Sequence, residues 1–133
     1  MRHTLFALLL AFALAAPVAA QDAGIEDTIS RQIEAFKADD LARAFSFASP
    51  MIRGLFGNPE NFGSMVRNGY PMVWRPADLR FLDLHDEGGR LYQKVQITDA
   101  QGRVHLLDYE MIETESGWKI NGVRILEAPG VAA

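Results

Sequence analysis

Arg90-Leu91-Tyr92-Gln93-Lys94-Val95-Gln96-Ile97-Thr98, Asp99-Ala100-Gln101-Gly102, and Arg103-Val104-His105-Leu106-Leu107-Asp108-Tyr109-Glu110-Met111-Ile112-Glu113 together decide the fold. Both long runs are rich in β-branched and aromatic residues and alternate in polarity, which predicts two strands. The short piece between them ends in glycine and predicts a hairpin turn. The same grammar extends in both directions. Leu79 to His85 reads as a strand, followed by the turn Asp86-Glu87-Gly88-Gly89. Thr114 to Gly117 turns into a last strand, Trp118 to Leu126. Closely spaced turns of this kind predict an antiparallel meander.

Upstream of Trp74 the apolar period changes to a helical one. Ile25, Ile29, Ile33 and Phe36 recur at helical steps and predict a first helix over about Ala23 to Ala38, with Asp22 as its cap. Asp39-Asp40 breaks that pattern and caps a second helix carrying Leu41, Ala44, Phe45 and Ala48, which stops before Pro50. Met51 to Phe56 is a short apolar piece the length of a helical turn. Asn58-Pro59 restarts a helix, with Phe62, Met65 and Val66 on its inner face and Gly69 at its end. Tyr70 to Pro76 carries two prolines and little periodicity, and extended backbone is expected there. Helices followed by a meander give an α+β domain, with the helices packed on one face of a curved sheet.

The N-terminus reads as an address. Met1-Arg2-His3 is basic, Leu5 to Ala16 is apolar, and Pro17-Val18-Ala19-Ala20 supplies small residues before Gln21. That is the pattern of a secretory signal peptide, cleaved after Ala20. The apolar run falls short of the ~20 residues that span a bilayer. The expected organisation is therefore a signal peptide over 1–20, one domain over 21–127 and a frayed tail over 128–133. The expected location is periplasmic or secreted, with no membrane association after cleavage. The chain has no cysteine. Disulfides, thiolate nucleophiles, thiolate metal sites and a lipidated cysteine are all excluded. Lys and Arg number 13 against 17 Asp and Glu, for a net charge of −4. This balance, without basic clusters, argues against nucleic acid as a partner.

The helix pair meeting at Asp39-Asp40-Leu41-Ala42, and the closing strand Gly117-Trp118-Lys119-Ile120-Asn121-Gly122-Val123, carry a family resemblance. The mature chain resembles the nuclear-transport-factor-two-like superfamily, the α+β cone shared with ketosteroid isomerases. Through Tyr70-Pro71-Met72-Val73-Trp74 and Gly117 to Gly122 it is also similar to a domain-of-unknown-function family of secreted proteobacterial proteins. The resemblance implies a cone with a concave interior. It transfers no catalytic residue, because that fold hosts enzymes, binding modules and assembly domains alike.

Alternation sorts the strand faces. Leu91, Gln93, Val95 and Ile97 fall together, as do His105, Leu107, Tyr109 and Met111. These sets are expected inside the cone. Gln93 and Tyr109 are then polar tips on an apolar wall, as a small-molecule pocket uses to orient its ligand. The competing reading is that each satisfies a neighbouring backbone group. Phe62, Met65, Tyr70, Trp74 and His105 complete the candidate pocket, with Tyr70, Met72 and Trp74 as an aromatic lip or a satellite core cluster. An isomerase in such a cone would need a carboxylate base, Asp83 or Asp40, and a donor, Tyr109 or Tyr70. Asp40 reads better as a helix cap and Asp83 as a solvated strand charge. His85 and His105 read as solvated residues at strand ends. His105 and Asp108 lie on opposite strand faces, so no metal site is expected. Gly54 and Gly57 lack the lysine and spacing of a phosphate loop, and no cofactor motif is present. Ser64 has no strand-to-helix elbow and no nearby histidine. The expectation is a non-catalytic module that binds a small apolar or mixed ligand, or serves as an accessory. The alternatives are an isomerase or hydratase-type enzyme in the same cone, and a domain that self-associates through its sheet.

Overall fold

The computed structural model describes residues 18–126, so residues 1–17 of the signal peptide expected over 1–20, and the tail expected over 128–133, lie outside the described residues. Five helices precede four strands: α1 (Val18–Lys37), α2 (Leu41–Ser46), α3 (Pro50–Phe56), α4 (Pro59–Gly69), α5 (Pro71–Trp74), β1 (Asp78–Glu87), β2 (Arg90–Thr98), β3 (Val104–Thr114) and β4 (Gly117–Leu126). The strands form one antiparallel sheet in sequence order, the meander expected from the turns. The architecture is α+β, with the helices against one face of the sheet.

The starts of α2 to α5 each have a chemical reason. Asp40 accepts a hydrogen bond from the Arg43 amide and caps α2. Ser49 caps α3 by accepting from the Ile52 amide, and Asn58 caps α4 by accepting from the Asn61 amide. Pro50, Pro59 and Pro71 each open a helix, where their missing N–H costs nothing. Two expectations change. Helix α1 begins at Val18, so Asp22 lies inside it and is not its cap. Pro71 opens the short helix α5 instead of an extended segment; only Tyr70 and Arg75, each preceding a proline, leave the helical region.

The inner face of the sheet is the one alternation selects. Gln93 pairs with Tyr109, Val95 with Leu107, and Ile97 with His105. Tyr109 pairs in turn with Val123 of β4. Val95, Ile97, Leu107, Tyr109 and Met111 are buried against Ile25, Ile29, Ile33 and Phe36 of α1. An aromatic group centred on Phe62 joins the helices. Its ring centroid lies 5.9 Å from Phe36, 5.5 Å from Phe45 and 5.8 Å from Phe56. Two irregularities bend the sheet: β1 shifts register between Phe81 and Leu84, and β3–β4 between Glu110 and Met111. The second leaves Asn121 unpaired in the ladder, free to use its side chain elsewhere.

Candidate functional site

A cavity of about 390 Å³ lies between α3, α4, α5 and the inner face of β4. This is within the roughly 300–1,000 Å³ of small-molecule sites. Ile52, Leu55 and Phe56 of α3 form one side, and Phe62, Met65 and Val66 of α4 another. Ile120 and Val123 of β4 form the floor, with Tyr70 and Val73 at one end and Gln32 of α1 at depth. Among the described residues, no charged side chain lines it. Leu55 is both a lining residue and 72% exposed, and Met51, one turn earlier, is 60% exposed. The rim on α3 is therefore apolar and open to water.

The polar groups of the wall are specific. Gln32 is 3% exposed, and its Nε2 donates to the Ala44 carbonyl at 3.1 Å. That bond fixes the amide orientation, since only the nitrogen can donate to a carbonyl. The Tyr70 hydroxyl donates to the Val123 carbonyl at 3.1 Å, tying α5 to β4. Below α3, the Ser49 hydroxyl donates to Asn121 Oδ1 at 2.7 Å, and Asn121 Nδ2 donates to Glu110 Oε2 at 3.0 Å. The Ser49 amide donates to the Ile120 carbonyl, and the Ile120 amide to the Phe47 carbonyl. This pins the entry of α3 to the bulge of β4, while no side chain of α3 itself is buried.

Of the residues anticipated for a pocket, Phe62, Met65 and Tyr70 line the cavity. Gln93, Tyr109, His105 and Trp74 do not. Gln93 is buried and shares a face with Tyr109, but its Nε2 donates to the Leu82 carbonyl at 2.9 Å and the Lys94 carbonyl at 2.8 Å. It closes the β1 irregularity, the structural alternative. Tyr109 is fully buried, its hydroxyl has no partner among the described residues, and burial pushes its phenol pKa up. His105 is half-buried at the far end of the sheet, with Nε2 2.9 Å from Asp99 Oδ2. That bond, with the Arg103 amide, holds the Asp99 carboxyl below the usual range. Trp74 packs outward of the cavity, its ring 5.5 Å from Phe36 and with the Arg75 guanidinium 4.7 Å above it. Trp118 packs on Gly24 of α1 and is only half-buried.

Gln32, Ile52, Leu55, Phe56 and Val123 were not anticipated. A signal for Gln32 was present. It stands between Ile29, Ile33 and Phe36 on the buried stripe of α1, where a polar residue needs a reason.

The opposite sheet face carries a second polar group. Asp108 is 2% exposed there, yet accepts from Arg124 Nη2 at 3.1 Å and lies 3.4 Å from His85 Nε2. His85 stacks on Tyr92, and the Arg124 guanidinium lies 4.1 Å over the same ring. Arg124 also pairs with Glu87 and holds its carboxyl below the usual range. His85 is thus built into the sheet surface, a correction to its reading as a solvated strand-end residue. Asp83 is exposed on this face and pairs with His85 and Lys94. Among the described residues, no group of three or more His, Asp or Glu side chains is placed to hold a metal, and no helix is long and apolar enough to cross a membrane.

A family described as a domain of unknown function, DUF4864, matches residues 18–133. No curated protein and no solved structure matches the chain.

Proposed function

The chain belongs to the DUF4864 family, and from that premise we propose that it is a non-catalytic binding module that holds a small apolar ligand between its helices and its sheet. The observation that carries this reading is the 390 Å³ cavity with uncharged walls and an exposed apolar rim at Leu55. An apolar cavity open to water lacks the close contacts of a packed interior. A ligand that fills it restores those contacts. Isomerase chemistry needs a carboxylate beside its substrate. Here Asp40 caps α2 and Asp83 lies on the opposite sheet face. We read the fold as a cone of the nuclear-transport-factor-two-like kind, supported by the order of helices and meander.

N-phenylnaphthylamine, a neutral dye that brightens in apolar surroundings, tests the binding. Saturable fluorescence at one dye per chain is expected. Met65→Trp, which places a larger ring on the cavity wall, should reduce it at least fivefold. An unsaturable signal, or one indifferent to Met65→Trp, would remove the reading.

The export reading rests on the basic start, the apolar run and the small residues before Gln21. Mass spectrometry of the protein recovered from a secreting host should find Gln21 as its first residue. Retention of residues 1–20 would refute export by cleavage.

A further inference from the structure

Resting on the binding reading above, we infer that α3 docks the protein on a lipid surface with anionic headgroups, so that the cavity loads its apolar ligand from the bilayer. The helix is apolar on both sides. Ile52 and Phe56 line the cavity. The exposed residues of α3 are Pro50, Met51, Gly54 and Leu55, and none of them is charged. Met51 and Leu55 are one turn apart, so they stand on the same outward face. A helix that is apolar all round is ordinarily covered all round. Here the outer side meets water, and such a face marks a surface of interaction.

Charge decides what covers it. Acidic residues outnumber basic ones 17 to 13 in the chain, yet Leu41 to Pro59 holds Arg43 and Arg53 and no Asp or Glu. The Arg43 guanidinium lies 6.0 Å over the Phe47 ring, and Lys119 Nζ donates to the Ser46 carbonyl at 2.9 Å. Both cations are thus held where α2 gives way to α3, and Arg53 is the charged residue of α3 itself. Negative headgroups answer these three cations, while the acyl boundary takes Met51 and Leu55. A second copy docked about a two-fold axis would set the same cations against their own images, which is repulsive. A molecule apolar enough to fill the cavity also prefers a bilayer to water. Docking through α3 places Leu55, on the cavity wall, at that source. The expectation of no membrane association weighs the charge of the whole chain and the length of its apolar runs. This face is local, and surface docking needs no spanning run.

Co-sedimentation tests this on the protein as a secreting host releases it. The vesicles are phosphatidylcholine alone, or equal parts phosphatidylcholine and phosphatidylglycerol. The mixed vesicles should bind the protein about tenfold more tightly than the neutral ones, and raised salt should erase the difference. Met51→Asp puts a charge on the outward face and leaves the cavity wall alone, and an acid suits the first turn of a helix. It should weaken binding to the mixed vesicles about tenfold, while N-phenylnaphthylamine still saturates at one per chain. Both chains share one N-terminus, so the difference reads α3 alone. Arg43→Gln combined with Arg53→Gln should lower binding to the mixed vesicles toward that of the neutral ones. The headgroup and salt contrasts need no variant, so a folding defect cannot mask the answer. No vesicle binding, equal binding to both kinds, or indifference to Met51→Asp overturns the proposal. A chain that ignores vesicles but runs as a dimer split by Met51→Asp overturns it in favour of a second copy. In each of these cases saturable dye binding leaves the binding reading standing, and its loss removes that reading as well.

Discussion

Tyr109 shows how the same side chain can suggest a pocket and belong to the core. Its hydroxyl is fully buried beneath the helices and makes no hydrogen bond to the described residues. Such a group has lost its hydration without compensation. Tyr109→Phe should therefore leave stability unchanged or raise it by about 1 kcal/mol, as read from urea unfolding midpoints. A loss above about 1 kcal/mol would mean that the hydroxyl has a partner. The pH dependence follows the same cause. Burial raises the folded-state phenol pKa above its ordinary value of 10.0. The unfolded state then ionises first, binds fewer protons, and gains as pH rises. Stability should be insensitive to this group below about pH 10 and fall above it. The fall should be shallower in Tyr109→Phe.

At the scale of elements, α3 is the least anchored piece of the cavity wall. It is seven residues long and buries none of its side chains. Isolated helices of that length are not stable, so its ends and its partners must hold it. The N-terminal hold is Ser49, fully buried, which accepts from the Ile52 amide and donates to Asn121 at the β4 irregularity. The C-terminal hold is Gly57, whose φ of +85° favours glycine. Ser49→Ala removes a cap and unpairs Asn121 Oδ1. It should cost about 1–2 kcal/mol in chemical denaturation. Hydrogen exchange should quicken first at the α3 amides, because local opening precedes global unfolding where few contacts resist it. Unchanged exchange there would show that packing on α4, not the cap, holds α3.

At the scale of the molecule, one aromatic group joins the helical layer. Phe62 meets Phe36, Phe45 and Phe56 from three helices and also lines the cavity. Phe62→Ala should cost about 3–5 kcal/mol and enlarge the cavity at once. Thermal melts of the variant should show that loss, and nonane should restore part of it by filling the space. A loss below about 1 kcal/mol would place the weight of the helical layer on α1 alone. The polar face of the sheet contributes differently. Asp108, Arg124, His85 and Glu87 link three strands, with His85 and the Arg124 guanidinium both against the Tyr92 ring, while Asp108 Oδ1 and His85 Nδ1 have no hydrogen-bond partner among the described residues.

The sequence by itself determined that helices precede strands, the antiparallel meander and the face of each central strand, but not the short helix α5. These follow from local periodicity and turn chemistry, which one stretch of chain carries whole: Gln93 and Tyr109 do share a face, in direct register. Caps at Asp40 and Asn58 were legible for the same reason. The cavity was not. Phe62, Met65 and Tyr70 could be named, but whether apolar walls close into core or stand apart depends on how α3 and α4 seat on β4. That seating is set by Ser49 reaching Asn121, and Tyr70 reaching Val123, across more than fifty residues. The role of Gln93 was decided by an irregularity in β1 that alternation does not encode. The β4 irregularity likewise turned Asn121 toward Ser49. A void is a property of the space between elements, and apolar composition reads the same for a filled interior as for an open one.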